Sequence, residues 1–150
     1  MRNKGQLSIE FILIVVVILI LLQTIVIPFS DSAKDSISDI SSLAYIDGSA
    51  KNLKEAIEYV SLSESIAKTQ IIVFIPEDAN ITILQDSLTY KITLKDPPQN
   101  AYCSADGLCI KSFDLSGLAN TDGMTLLGKK EYLVSIFKEQ DGKTYAEVIE

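Results

Sequence analysis

Hydrophobic and polar positions divide this chain into three regimes. Residues 7–27 are almost all Leu, Ile, Val or Phe, interrupted near the start by one acid, Glu10. About 20 such residues cross a bilayer as a helix rising 1.5 Å per residue. The segment therefore reads as membrane-inserted at some stage. From Pro28 the pattern turns amphipathic: Ile37, Ile40, Leu43 and Ala44, then Leu53, Ala56, Ile57, Val60 and Ala67, recur at three- and four-residue steps among Ser, Asp, Glu and Lys. This predicts one long helix from about Leu7 to Lys68, bare of partners in its first half and offering a stripe to a sheet in its second. Pro28 removes a hydrogen bond and bends the helix. Gly48 is a second weak point, costing about 1 kcal/mol relative to Ala.

From Thr69 the period becomes that of strands. Residues 70–75 and 81–85 are β-branched runs separated by Pro76-Glu77-Asp78-Ala79-Asn80, and residues 88–94 alternate. A meander is the economical reading, stopped by Asp96-Pro97-Pro98. Two hairpins are expected, at Asp106-Gly107 between Cys103 and Cys109, and at Asp141-Gly142 between residues 132–139 and 143–149, since both dipeptides suit turns needing positive φ. Residues 116–128, with three Gly, read as a long loop. The expected class is α+β, with an amphipathic helix over 28–68 packed on a mainly antiparallel sheet head over 69–150.

The chain has 150 residues, with 13 basic and 20 acidic side chains and no His, for a net charge of −7. Such a surface repels nucleic acid and suits a soluble, outward-facing domain. About 120 residues beyond the apolar run suffice for one core, hence one head. Arg2 and Lys4 precede the run without an acid, while Asp31, Lys34, Asp35 and Asp39 follow it. The N-terminus is therefore expected in the cytoplasm and the head outside. Without His there is no Ser-His-Asp triad and no histidine metal site. Gly123 through Lys129 has the spacing of a phosphate-binding loop, but Lys130 stands where a Ser or Thr would hold Mg²⁺. Glu77 and Asp78 have no evident cleft. Nothing argues for an enzyme or a cofactor.

An acid inside a membrane helix costs roughly 2.5–3.5 kcal/mol, although Glu10 lies close enough to the end to reach headgroups. A bare anchor would use Val. The octet Lys4-Gly5-Gln6-Leu7-Ser8-Ile9-Glu10-Phe11 resembles the cleavage region of archaeal type IV pilin precursors: a basic residue, Gly, then Gln-x-Ser-x-Glu and an apolar run. A secretory signal would instead carry its small-residue site after the apolar core, and nothing like Ala-x-Ala follows Leu22. Archaellins share the layout but are usually richer in Gly and Ala and lack the Gln-x-Ser-x-Glu pattern. The likeness covers about the first 22 residues. The remainder resembles no family.

The resemblance implies that a prepilin peptidase cuts between Gly5 and Gln6, removing a leader of residues 1–5 and leaving residues 6–27 as the hydrophobic helix. Losing Arg2 and Lys4 leaves 11 basic against 20 acidic side chains, or −9. It further implies that the freed amine of Gln6 meets Glu10 of a neighbouring copy. Phe11 then opens the stretch 11–22, which leaves the bilayer to form the core of a helical filament that never closes. The implied function is a structural pilin subunit, with adhesion as a property of the head. Its partners are further copies of itself, the peptidase, the pilus assembly machinery and, before assembly, the archaeal plasma membrane; its destination is the cell surface. The alternative is a membrane-tethered extracellular binding protein that does not polymerise, which has no need of Lys4-Gly5-Gln6 with Glu10.

Cys103 and Cys109 are the only cysteines. Outside the cell such a pair is read first as a disulfide. Here the spacing sets the two across a short hairpin, where facing Cβ atoms come within bonding range. So short a loop gains about 2 kcal/mol. A metal site would need further Cys or His. Asn80-Ile81-Thr82 is a candidate N-glycosylation sequon on an expected surface turn, although chance alone supplies about one sequon in a chain this rich in Ser and Thr. The Ser-rich interval 30–42 reads as a solvated helix face.

Overall fold

The computed structural model describes residues 3–98, 102–115 and 123–149, with side chains from Ile9 onward. It divides into two compact units, Met1–Ile37 and Ser38–Glu150. The first unit holds α1 (Asn3–Leu21), a π-helical turn (Leu22–Val26) and the start of α2 (Ile27–Leu62). Pro28 has no N–H and its ring crowds the carbonyl four residues back. The widened turn just before it absorbs that misfit, and Thr24 Oγ1 donates to the carbonyls of Ile20 (2.8 Å) and Leu21 (3.3 Å). The proline is thus accommodated without interrupting the helix, and α2 is helical through Gly48 as well.

In the second unit α2 buries Leu43, Ile46, Ala50, Leu53, Ile57 and Val60, a run of alternating three- and four-residue steps on one face. The expected stripe began too early. Ile37 and Ile40 are 68% and 59% exposed, and Ile46 and Ala50 are fully buried instead. Near this end of the stripe the Asp39 carboxylate accepts the Asp96 N–H at 2.7 Å. The helix also stops at Leu62 rather than Lys68. Ser63 bonds back twice, N–H to the Val60 carbonyl and Oγ to the Tyr59 carbonyl, tightening the last turn. Lys138 Nζ then donates to the carbonyls of Ser61 and Ser63 at 3.0 and 2.7 Å, so the helix end is capped from the sheet.

Seven strands follow: β1 (Lys68–Ile75), β2 (Ala79–Leu84), β3 (Ser87–Thr93), β4 (Leu108–Asp114), β5 (Met124–Leu127), β6 (Lys130–Lys138) and β7 (Thr144–Val148). They form two antiparallel sheets, one in the order β1-β6-β7 and the other β4-β3-β2-β5. Of the expected meander over 70–75, 81–85 and 88–94, only the β2-β3 pair forms, and β4 extends it on the far side. The first strand leaves it to pair with β6 along its whole length, Lys68 with Phe137 through to Ile75 with Lys130. Part of the expected loop 116–128 is β5, paired with β2 and burying Leu126; residues 116–122 lie outside the described residues. Val73, Ile75, Val134 and Ile136 from one sheet and Ile81, Ile83, Leu88, Tyr90 and Ile92 from the other share one core with the α2 stripe.

The chain passes between the sheets twice, after β1 and after β5, and the two passages touch. Lys129 N–H donates to the Ile75 carbonyl at 2.9 Å, and its Nζ pairs with Glu77. A Cβ on Gly128 would fall onto the carbonyl oxygens of Pro76, Glu77 and Ala79, so only glycine lets the backbones approach this closely. The two Asp-Gly hairpins form as expected and share one pattern: the glycine N–H donates three residues back, to Ser104 in one and Glu139 in the other. Within each hairpin only the glycine takes positive φ, 85° at Gly107 and 79° at Gly142, so each turn is a type I turn closed by a left-handed residue.

Two glycine variants separate these roles. Gly142→Ala meets open space and should cost about 1–2 kcal/mol, the left-handed penalty alone. Gly128→Ala forces backbone apart where the sheets are joined and should cost more, about 3 kcal/mol or above. Urea unfolding of the detergent-solubilised chain checks the order, and equal losses would show that the sheet junction yields easily.

Candidate functional site

The residues singled out in the sequence fall in three places. Gly5 and Gln6 lie in α1, and Glu10 and Phe11 follow them on the same helix, both exposed. Every side chain from Ile9 to Asp35 is exposed, Phe11 at 67% and even Val15 at 38%. Leaving a Leu, Ile or Phe in water forgoes about 1.5–3 kcal/mol each, so α1 calls for a bilayer or another protein surface. This is the one helix among the described residues long and apolar enough to cross a membrane, by length and composition.

The second place is the disulfide that joins Cys103 to Cys109. The two face each other in an antiparallel bridge flanked by Ser104 N–H to the Leu108 carbonyl and Ile110 N–H to the Tyr102 carbonyl, both 2.9 Å. They therefore occupy a non-hydrogen-bonded pair, the closer of the two antiparallel spacings. Residues 102–104 run as an added ribbon along β4, which is otherwise the outer strand of its sheet. Cys109 is wholly buried.

The third is Asn80. It sits not on a turn but as the second residue of β2, between Lys91 of β3 and Leu127 of β5. The turn is shorter than expected because Ala79 N–H already donates to the Pro76 carbonyl, and pairing resumes at once. Asn80 and Thr82 share the outer face of the four-stranded sheet, where Thr125, Thr82, Thr89 and Ser112 form one row across its strands. Thr89 and Ser112 are hydrogen-bonded through their hydroxyls at 2.8 Å.

A charged cluster not foreseen from the sequence ties α2 to the four-stranded sheet. Asp47 Oδ1 accepts from Lys111 Nζ at 2.7 Å and from the Tyr90 hydroxyl at 3.2 Å, and Oδ2 pairs with Lys51 at 2.6 Å. The Lys111 ammonium also lies over the rings of Phe113 and Tyr102, 5.0 and 5.4 Å from their centres. Burial alone would raise the Asp47 carboxyl, but hydrogen bonds and charge from Lys111 and Lys51 outweigh it and hold it below the ordinary value. The Tyr90 phenol is pushed far up, first by burial and then by the Asp47 carboxylate. Helical spacing of Asp47 and Lys51 was the only sequence signal; Tyr90 and Lys111 reach them through strand register.

Among the described residues no group of three His, Cys, Asp or Glu is placed to hold a metal ion. No protein-family model, curated protein or solved structure matches this chain.

Because folding lowers the Asp47 pKa, its contribution is complete above the unfolded value of about 3.9 and is lost as pH falls through the folded one. Asp47→Asn should therefore lose about 1–2 kcal/mol near pH 7, a modest figure since water reaches part of the cluster. The gap from the native chain should close as pH falls below the ordinary carboxylate value and through the lowered folded one. Denaturation midpoints across pH test this, and a gap independent of pH would assign the loss to packing.

Proposed function

We propose that this chain is a structural subunit of an archaeal type IV pilus-like surface filament, assembled through α1 and presenting the Ser38–Glu150 unit outward. The observation that carries this reading is an apolar α1 with no covered side chain among its described residues, in which Glu10 directly follows the motif around Gly5-Gln6. The second unit supports it from the other side. It closes a core of its own around one α2 stripe, whereas every described side chain of α1 is exposed. In a bilayer the helix is satisfied by lipid; in a filament it is satisfied by other copies of itself. The Glu10 carboxylate suits the second setting, since pairing with a freed Gln6 amine offsets its desolvation only when copies stack. On this reading the precursor has its N-terminus in the cytoplasm and depends on a prepilin peptidase and an assembly machinery.

The mature chain recovered from sheared cell-surface filaments should begin at Gln6, because the apolar helix is retained only if the cut precedes it. Intact mass decides the point. A chain starting at Met1, or beyond Leu22, would overturn the pilin reading.

Glu10→Val should insert into membranes at least as well as the native chain and assemble poorly, since one substitution removes both an insertion cost and a charge contact between copies. Membrane fraction and filament yield should move apart. Normal filament yield would show that Glu10 takes no part in assembly.

A further inference from the structure

At the end of α2 farthest from Ser38, the connector to β1 and the tip of the β6–β7 hairpin enclose an open groove of 720 Å³. That volume lies in the range of small-ligand sites, which combine an apolar surface with a few placed polar groups. Phe137 supplies an aromatic wall, held from behind by Tyr145 at 5.8 Å and 24° between ring planes. The Tyr145 hydroxyl donates to Asp141 Oδ2 at 3.3 Å, and Oδ1 accepts the Lys143 N–H at 2.9 Å, so the hairpin tip is fixed by its own bonds. Lys138 lines the groove, but its ammonium is directed to the Ser61 and Ser63 carbonyls. Glu139, Gln140, Glu147 and Lys68 complete the polar rim.

We propose that this groove binds a neutral saccharide, one face of a sugar ring lying on Phe137 and its hydroxyls meeting the rim. The charge pattern selects this class. Carboxylates of Glu139, Asp141 and Glu147 repel an anion, while the Lys68 ammonium beside them opposes a compact cation. A polyol suits both, since each hydroxyl donates to a carboxylate and accepts from an ammonium or amide. The C–H face of a sugar ring supplies the apolar partner that a half-buried aromatic ring lacks in water. The groove lies within the Ser38–Glu150 unit, which on the filament reading is the part presented outward. Its accessibility in a fibre rests on that reading; its binding chemistry does not.

Saturation-transfer NMR and calorimetry on the detergent-solubilised full chain test this, with maltotetraose, cellotetraose, chitotriose and mannotriose as probes and spermidine and trilysine as cationic controls. At least one oligosaccharide should bind. Phe137→Ala should weaken it by about tenfold or more. Glu147→Ala, at an exposed strand position where folding is not at stake, should weaken the same probe, while Thr89→Ala on the other sheet leaves it unchanged. Filament yield from these variants should stay normal, so that loss of binding and loss of assembly read separately. Binding of the cations without the sugars, or of none of the probes, would overturn the proposal, as would sugar binding insensitive to both groove variants.

Discussion

One stripe of α2 has to serve two sheets at once. Leu43, Ile46, Ala50, Leu53, Ile57 and Val60 are the buried side chains of α2, and strands from both sheets meet them in a single core. At about 1.5–3 kcal/mol for each large apolar side chain covered, this stripe is the main bond between helix and head. Its demands explain the topology. Two small sheets wrap a helix only if the chain moves between them, and each passage opens a backbone turn that must be satisfied elsewhere. Gly128 and Lys129 meet that need by docking one passage on the other. Asp47, Tyr90 and Lys111 add polar bonds at the helix flank, where apolar cover runs out.

Local signals were legible in the sequence, and long-range ones were not. A helix followed by antiparallel strands, the two Asp-Gly turns and the Cys103–Cys109 bridge all follow from residues near one another along the chain. The departure of β1 to pair with β6 does not, since Lys130–Lys138 and the run after β1 are equally apolar and either could have been its neighbour. Strand β5 escaped notice because Met124–Leu127 is too short for a period and is bracketed by Gly123 and Gly128. Ile37 and Ile40 continue the stripe in sequence yet are exposed, so periodicity alone placed the buried face a turn too early. The Asp47 cluster combines a helix spacing with a register between strands, and only the first half of that was on view.

The two ends of the molecule obey opposite rules. Ser38–Glu150 gathers a buried apolar core and ends its helix under the Lys138 ammonium, whereas the described side chains of α1, Leu, Ile, Val and Phe, are all exposed. A surface helix of a self-contained protein would confine such residues to one face. The uniform exposure means that the environment of α1, lipid or protein, completes the fold that the chain itself leaves open.

The ribbon of residues 102–104 has a consequence for timing. An outer strand with unpaired N–H and C=O groups is a template for any other strand that drifts past. Along the first part of β4 those groups are covered by Tyr102 and Ser104, and the covalent tie at Cys103 keeps the cover in place. Thiols stay reduced in most cytosols, where the cover would rest on its few hydrogen bonds alone. Oxidation thus does more than stiffen a hairpin: it locks the cover onto this edge covalently, in the compartment where the bond can form.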